Sequence, residues 1–242
     1  MTLTLSDQKP FAKGGHRLCF VHPENDQHCI KVRRPDFTLE DLRKSKGFPK
    51  NLRPLKSFDD NLEEYRVIDD ITRKIGAEAF QHIYHCYGFI DTDLGPGLEC
   101  ELIRDDSGLI SLSLKQYIWE HGYTESCKQA VEALSNFWVR HQIPSRRLLI
   151  HNIMAQQSSD GDLKRLVVID GLGSPNLVPW HWLSSPIKTQ KVNERIRHLQ
   201  DKIEEAVYKR SQGVMPSRVG FLDHRDDLTS FDGPLPSTRE ED

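Results

Sequence analysis

The sequence predicts an α+β protein in two parts, a strand-rich first third that contains one helix and a mainly helical region behind it. Residues 16–22, H-R-L-C-F-V-H, and residues 28–32, H-C-I-K-V, are separated by the breaker-rich residues 23–27, and the three stretches together predict a β-hairpin. Apolar residues then recur at three- and four-residue spacing from Leu62 to Ile75, which predicts the helix. Further strands follow this helix, so the first part is expected to form a small five-stranded sheet.

The remaining strands of this sheet lie at the two ends of the first part. Residues 2–5, T-L-T-L, alternate polar and apolar and predict the first strand. Residues 83–90 and 98–103 predict the last two strands, with a turn that contains glycine and proline between them. Gly76 is expected to end the helix, because glycine is common just beyond a helix C-terminus. The first part is therefore expected to span residues 1–104.

Helices dominate the second part of the chain. Ser113 is a candidate cap for a short helix within residues 112–118, and Thr124 for a longer helix that reaches His141. Serine and threonine favour this position because their side-chain oxygens accept hydrogen bonds from amides of the first turn. A third apolar pattern at residues 192–207 predicts the last helix.

The helical part is expected to span residues 105–212 and to be followed by a tail. Residues 213–242 are polar, contain several prolines and end in acidic residues. Such a composition buries too little apolar surface to offset the entropy lost on ordering. The tail is therefore expected to be an acidic, disordered segment.

Composition excludes several classes of protein. The 242 residues carry a formal net charge of −3, which gives no general attraction to nucleic acid or to an anionic membrane. No apolar run approaches the roughly 20 residues of a membrane span, and the first residues lack the features of a signal peptide. The five cysteines form no C-x-x-C pair and the eleven histidines form no H-E-x-x-H motif, which disfavours a zinc site. A cytoplasmic protein without membrane or nucleic-acid partners is expected.

A basic segment interrupts the first part. Residues 43–56 contain six lysines and arginines and no acidic residue. Such a run is typical of a solvated loop, but it could also contact phosphate or a protein partner. Both interpretations stay open at this point.

A second hairpin carries the most informative polar residues. Asn152 opens the apolar strand 153–155, and a second strand, residues 166–169, ends on Asp170. Amide and carboxylate oxygens are ligands that Mg²⁺ takes when substrate phosphates complete its shell. The hairpin therefore suggests a magnesium site, although an aspartate before glycine at a strand end is also typical of an ordinary turn.

The order of elements, together with this hairpin, resembles the two-lobed plan of protein kinases, with a five-stranded N-lobe and a reduced helical C-lobe. Kinases carry a V-A-I-K strand whose lysine contacts the α- and β-phosphates of ATP, and here H-C-I-K places Lys31 at the matching position. Strand alternation puts Cys29 on the same face, where the resemblance implies contact with the adenine. The resemblance further implies a glutamate partner on the following helix, Glu64, with Glu63 as the alternative.

The glycine-rich loop of kinases is only partly matched. Residues 12–17, A-K-G-G-H-R, lie between the first two predicted strands, and only Gly14 fits the G-x-G-x-x-G spacing. Glycines suit this loop because bare backbone amides must approach phosphate closely. Gly14 and Gly15 are thus the candidates for covering the phosphates, and Arg17 could add a cation.

The catalytic loop departs most from the kinase pattern. Counting back from Asn152, the H-R-D triplet falls on S-R-R, so Arg147 replaces the aspartate that accepts the substrate proton. General-base catalysis contributes about 10²–10⁴-fold, and a guanidinium cannot supply it because it stays protonated. His151 could act instead. No catalytic residue is assigned from the sequence.

These details together resemble the PhoP regulatory network protein YrbL family, small bacterial kinase-like proteins. The resemblance covers residues 5–180, and its most specific part is the G-H-R…C-x-x-H-P-E block at residues 15–24. The loop at residues 88–97, G-F-I-D-T-D-L-G-P-G, extends it. Membership would imply a cytosolic protein with a kinase-like fold, tied to the PhoP/PhoQ network.

Three functions follow as hypotheses. The first is an atypical kinase-like protein that binds ATP and Mg²⁺ in the cleft between the lobes and has weak or altered phosphotransfer. The second is a non-catalytic pseudokinase that holds a protein partner through the basic segment and the helix at residues 192–207. The third is a small-molecule phosphotransferase, against which Arg147 counts because such enzymes keep the catalytic aspartate.

Overall fold

A computed structural model describes residues 2–173 and 179–222 of the chain. Within these residues the protein is mixed α+β, with five α-helices and two antiparallel sheets. The chain forms two compact units. Met1–Asp69 and His85–Leu102 belong to the first unit, and Asp70–Tyr84 and Ile103–Leu222 to the second. The α+β class is thus confirmed, while the kinase-like pairing of two lobes stays a prediction.

The first unit holds a five-stranded antiparallel sheet, as the sequence predicts. Its strands follow the spatial order β1-β2-β3-β5-β4. They are β1 Ala12–Lys13, β2 Arg17–His22, β3 Asn25–Arg33, β4 Cys86–Thr92 and β5 Gly95–Glu101. The hairpin of β2 and β3 is the predicted one, but its turn is shorter because β3 already begins at Asn25.

The first predicted strand is wrong in its position. Residues 2–5 make a single parallel bridge, between Leu3 and Thr92, and the edge strand is β1 instead. The carboxylate of Asp93 accepts a hydrogen bond from the Leu5 amide at 2.7 Å, so a side chain satisfies a backbone group that a strand would have paired. The alternation of T-L-T-L reflects the burial of both leucines against one face of the sheet.

Two helices belong to this part of the chain. Helix α1, Leu39–Ser45, begins at Thr38, whose side chain accepts a hydrogen bond from the Asp41 amide in a capping box. Helix α2, Asp60–Ile75, is the predicted amphipathic helix and ends immediately before Gly76. The basic segment at residues 43–56 comprises the end of α1 and two short 3-10 turns.

The second unit combines three helices with a three-stranded antiparallel sheet. The sheet has the order β6-β7-β8. Its elements are β6 Leu112–Ser113, α3 Leu114–His121, α4 Glu125–His141, β7 Ile153–Gln157, β8 Leu163–Val168 and α5 Ser185–Ser211. Ser113 and Thr124 cap α3 and α4 as predicted, since their hydroxyls accept hydrogen bonds from the amides of Gln116 and Cys127.

The last helix is longer than its predicted apolar stripe. α5 starts seven residues before Val192, with a proline in its first turn, where the missing amide costs no hydrogen bond. Its buried side chains all fall within the predicted stripe: Val192, Ile196, Leu199 and Ile203. The polar turns at both ends of the helix carry no hydrophobic signal, so periodicity could not predict them.

The chain continues past α5 along the start of α3. Lys115 Nζ donates hydrogen bonds to Ser217 Oγ at 2.8 Å and to the Val219 carbonyl at 3.0 Å. Gln116 exchanges hydrogen bonds with the backbone of Leu222. The first part of the predicted tail, residues 213–222, therefore makes these contacts. The rest of the segment that was predicted to be disordered, residues 223–242, lies outside the described residues.

In the described part of the chain, no helix combines the length and the apolar character that crossing a membrane requires.

A buried histidine makes the second unit sensitive to acid. His82 donates Nδ1–H to the Leu166 carbonyl at 2.8 Å, and burial lowers its pKa below the ordinary value of 6.5. The unfolded chain therefore binds a proton at a higher pH than the folded one. The resulting stability is present above pH 6.5 and is lost as the pH falls below it, by at most about 1.4 kcal/mol per pH unit.

We expect His82→Asn to remove this pH dependence, because the amide can still donate to Leu166 but does not titrate. The free energy of unfolding in urea, measured between pH 7 and 5, should fall more steeply for the unsubstituted protein than for the variant. His121→Asn, at a half-exposed position on α3, is the control and should keep the full slope. An unchanged slope in His82→Asn would assign the acid sensitivity to another group.

Candidate phosphate and metal sites

A buried ion pair joins β3 to α2 in the first unit. Lys31 Nζ donates to Glu64 Oε1 at 2.7 Å, and each side chain is only 8 % exposed. Strand alternation places Lys31 on the face of the sheet that α2 covers, and Glu64 lies in the second turn of that helix. The predicted pairing of Lys31 with Glu64, rather than with Glu63, is thus present.

A second cation shares the same carboxylate. Arg17, on β2, donates from its guanidinium to the other oxygen of Glu64 and to Asn61 Oδ1, the latter at 3.2 Å. Asn61 in turn donates from Nδ2 to the Lys31 carbonyl at 2.8 Å. The three charged side chains therefore sum to one net positive charge in a largely buried setting.

The pKa of Lys31 is raised above its ordinary value. Burial acts to lower this pKa, but the Glu64 carboxylate acts in the opposite direction and the net result is an increase. Lys31 is therefore a permanent cation at physiological pH and is unsuited to act as a general base. Its chemistry is that of a fixed positive charge.

A further carboxylate borders this cluster. Asp60 Oδ2 lies 3.3 Å from His16 Nδ1, on the turn between β1 and β2. Burial acts to raise the pKa of Asp60, but the hydrogen bond to His16 and the charge of Arg17 outweigh it and lower that pKa. The turn that contains the two candidate glycines is thus tied to the first turn of α2.

The two candidate glycines differ in what they can offer a ligand. The Gly14 amide donates to the Arg17 carbonyl at 2.8 Å, so the turn itself uses this hydrogen. The Gly15 carbonyl accepts from the Arg34 guanidinium at 3.1 Å, and a Cβ built at Gly15 would meet no atom within 4 Å. The surroundings of Gly15 leave room for an approaching group, whereas the amide of Gly14 is already engaged. Phosphate contact by either residue stays a prediction.

Cys29 lies two residues before Lys31 and is buried. Its thiol is 3.8 Å from the Glu101 carbonyl, and burial raises its pKa to about 12. Such a thiol remains protonated and behaves as a small apolar side chain. Cys29 can therefore contribute packing, not charge, and its contact with an adenine stays a prediction.

The predicted metal ligands lie at one end of the β7–β8 hairpin in the second unit. The register pairs Ile153 with Val168, and beyond that pair the Ile169 amide donates to the Asn152 carbonyl at 2.9 Å. Asp170 is the next residue and is exposed, with Oδ1 accepting from the Gly171 amide at 2.6 Å. The hairpin predicted from the sequence is confirmed, with Asn152 and Asp170 at its two roots.

The backbone around Arg147 is held against this hairpin end. Gly171 has φ +83°, and a Cβ built there would lie 2.4 Å from the Arg147 carbonyl oxygen. The Arg146 amide donates to the Gly171 carbonyl at 2.7 Å. Only glycine fits this close approach, so the backbone of Arg147 is fixed beside Gly171, the residue that follows Asp170.

The donor set fits magnesium better than a soft metal. Across residues 2–173 and 179–222, no cluster of three or more histidine, cysteine, aspartate or glutamate side chains could hold a metal ion. Asn152 and Asp170 together offer an amide and a carboxylate, which suits an ion that takes most of its ligands from phosphates and water. The metal role of both residues stays a prediction.

Two neighbouring contacts were not evident from the sequence. Asn61 lies one helical turn before Glu64, and this spacing was the only signal that could have placed it beside the ion pair. Gly220 packs on His151, since a Cβ built at Gly220 would lie 2.4 Å from the His151 Cβ. Ser113 also donates to the Gly220 carbonyl at 2.6 Å. The segment after α5 therefore flanks the residue that precedes Asn152.

Comparison with known proteins identifies the family. The family model described as PhoP regulatory network protein YrbL matches residues 3–204, most of the chain. The chain belongs to this family. YrbL of Escherichia coli strain K12 is 26 % identical over 180 residues, which cover 73 % of this chain and 76 % of that protein. YrbL of Shigella flexneri matches to the same extent. The family resemblance expected from the sequence is confirmed.

The shared carboxylate makes Glu64 the most sensitive member of the ion pair. Glu64→Ala removes the carboxylate that both Lys31 and Arg17 contact in a largely buried setting, and we expect a loss of about 3–5 kcal/mol in unfolding free energy. Lys31→Met should cost less, because Arg17 still neutralises the carboxylate. Both effects are measurable as midpoint shifts in urea unfolding.

Asp70→Ala is the matched control on the same helix. Asp70 pairs with Arg73 at the surface, where both side chains are more than half exposed, so its loss should cost no more than about 1 kcal/mol. If Lys31→Met proved as damaging as Glu64→Ala, Arg17 would not be sharing the carboxylate in solution.

Proposed function

We propose that this YrbL-family protein is an atypical kinase-like protein that binds ATP with Mg²⁺ and has weak or altered phosphotransfer, in a regulatory role within the PhoP network. The observation that carries the proposal is the buried pair of Lys31 and Glu64, whose Nζ and Oε1 atoms are 2.7 Å apart. Kinases position the α- and β-phosphates of ATP with a lysine held by a helix glutamate in this way. The family description supplies the link to the network.

Two cations meet at one carboxylate in this cluster. Lys31 and Arg17 both contact Glu64, one at each carboxylate oxygen. Phosphate oxygens would be charge-assisted acceptors for both cations, and such bonds are about twice as strong as neutral ones. A nucleotide phosphate is therefore the ligand chemistry that best suits this face of the sheet.

Asn152 and Asp170 are the proposed magnesium ligands. Asn152 would contribute its amide oxygen and Asp170 a carboxylate oxygen that is already exposed to solvent. When bound, Mg²⁺ supplies charge neutralisation at phosphate oxygens. The two residues flank the pair of Ile153 and Val168, which lies at the end of the hairpin.

Arg147 argues for weak or altered phosphate transfer. A kinase aspartate at this position accepts the proton of the attacking hydroxyl, and a guanidinium cannot accept one. The loss corresponds to about 10²–10⁴-fold in rate. Residues 145–150 contain no carboxylate, and the backbone of Arg147 is held against Gly171. A small shift of this segment therefore cannot bring another carboxylate of the segment to the position of the lost base.

One observation favours a partner-binding role as the second candidate. Phe48 and Leu52, in the basic segment, are 83 % and 73 % exposed. Exposed apolar side chains among cations are typical of a surface that another protein covers. A pseudokinase that holds an acidic partner would use this segment and would be indifferent to nucleotide.

Thermal unfolding with and without millimolar ATP and Mg²⁺ tests the proposal. Ligand at about 100 times its dissociation constant stabilises the folded state by roughly 2.7 kcal/mol, which for a chain of this size raises Tm by about 5–11 °C. We expect this shift for the unsubstituted protein, its loss in Lys31→Met, and loss of its magnesium-dependent part in Asp170→Asn.

Lys164→Met is the matched control, because it removes a lysine from a strand at an exposed position. It should keep the full shift with ATP and Mg²⁺. No shift in any protein, combined with a stable complex recovered by the unsubstituted chain, would replace the nucleotide-binding proposal with the pseudokinase candidate.

A further inference from the structure

Three cysteines lie in a row across neighbouring strands of the first unit. In the antiparallel register Cys29 on β3 is opposite Cys100 on β5, and Cys100 is opposite Cys86 on β4. None of the three cysteines is in a disulfide bond. They occupy the same face of the sheet as Lys31. Directly paired residues share a face, and Cys29 lies two residues before Lys31 on β3, so their side chains point to the same side.

The register brings each neighbouring pair within reach of a disulfide bond. Directly opposed residues on antiparallel strands have Cα atoms about 4.5–5.5 Å apart. Disulfides join residues whose Cα atoms are about 4.4–6.8 Å apart. Cys100 could therefore be bridged to either neighbour, and burial and hydrogen bonding decide between them.

Exposure favours the pair Cys86 and Cys100. Cys29 and Cys100 are buried, with exposed fractions of 5 % and 0 %, whereas Cys86 is only half-buried. The pairing of β4 with β5 is also irregular between Cys86 and Gly88, where β4 contains one extra residue that interrupts the regular hydrogen bonding. An oxidant can therefore reach Cys86 before either of the other two thiols.

The two thiols also differ in acidity. A hydrogen bond from Cys100 lowers the pKa of Cys86, while burial raises the pKa of Cys100. The thiolate is the reactive form, so Cys86 is the nucleophile and Cys100 is suited to react second. Burial likewise raises the pKa of Cys29 to about 12, which leaves that thiol unreactive.

We propose that Cys86 and Cys100 form a reversible cross-strand disulfide when the protein meets an oxidant of the peroxide class. The Cys86 thiolate attacks one peroxide oxygen, the O–O bond breaks, and Cys86 becomes a sulfenic acid. The departing oxygen takes up the proton that the Cys86 thiol had released and leaves as water or an alcohol. The Cys100 sulfur then attacks the Cys86 sulfur, the S–O bond breaks, and water leaves with the Cys100 proton. The protein loses two electrons and two protons, and the peroxide is reduced.

The arrangement of cleavage sites allows a direct test with the intact chain. Residues 75–104 contain no lysine or arginine before Arg104, so trypsin leaves Cys86 and Cys100 in one peptide. Cys19 and Cys29 fall together in the peptide of residues 18–31. The native protein is treated with hydrogen peroxide, the peroxide is removed, and the protein is then unfolded in denaturant, alkylated, digested and analysed by mass spectrometry.

We expect the peptide of residues 75–104 to lose two hydrogens and to escape alkylation, with full recovery after a thiol reductant. A second digestion before Asp91 and Asp93 should leave the fragments of residues 75–90 and 93–104 joined until reduction. The peptide of residues 18–31 should stay fully alkylated. A cross-link between the two peptides, overoxidation of Cys86 without a bridge, or two free thiols after peroxide would each overturn the proposal.

Two variants separate the roles of the thiols. Cys100→Ser should arrest Cys86 as a sulfenic acid, which a 1,3-dione reagent traps, and Cys86→Ser should leave Cys100 reduced. Cys127→Ser is the control, since Cys127 is buried in α4 of the second unit and should not affect bridging. The experiment on the unsubstituted protein stands even if a variant folds poorly, and it requires no nucleotide.

Discussion

The burial of the Lys31 ammonium is the constraint on which the first unit depends. A lysine charge removed from water is tolerated only with a close counter-ion and further hydrogen bonds, because the desolvation penalty is several kcal/mol. Glu64 supplies the counter-ion from α2, and Asn61 binds the Lys31 carbonyl one helical turn away. These contacts specify both the rotation of α2 about its axis and its position along the sheet. A rotation of one residue would remove both partners.

The two faces of this sheet consequently serve different purposes. One face carries Leu18, Phe20, Ile30 and Val32 against the N-terminal leucines, and towards one end it also carries His28, which is hydrogen-bonded to Glu99. The opposite face combines Lys31 with three cysteines in a row. A core that needed only stability would place apolar residues on both faces, because a buried ion pair rarely adds more than a hydrophobic pair of similar volume. The polar face is therefore where the sequence departs from the pattern of a simple core, as functional sites commonly do.

Much of the fold could be predicted because its signals are local. Alternation placed Cys29 and Lys31 on one face, the apolar stripe located α2, and hydroxyl caps located α3 and α4. The first strand could not be placed, since Leu3 makes only a single bridge to distant residues and the Leu5 amide binds the side chain of Asp93, far along the chain. The candidate site, too, could be predicted only in part. Residue type suggested Lys31 and Glu64, but the sharing of Glu64 with Arg17 depends on how β2 pairs with β3, which no local pattern encodes.

The segment after α5 is recognised mainly through its backbone. Side chains at the start of α3 bind the carbonyls of Val219, Gly220 and Leu222, and Gly220 is constrained by the space beside His151. Lys115 also contacts two side chains of the segment, the Ser217 hydroxyl and the Phe221 ring. Substitutions in the segment that spare these side chains and Gly220 should therefore retain its path. Shortening the chain after α5 has the opposite effect, because three polar side chains and one flank of His151 would then face water. A shortened protein would differ from the whole one at the loop that leads into Asn152, even though every helix and strand remained.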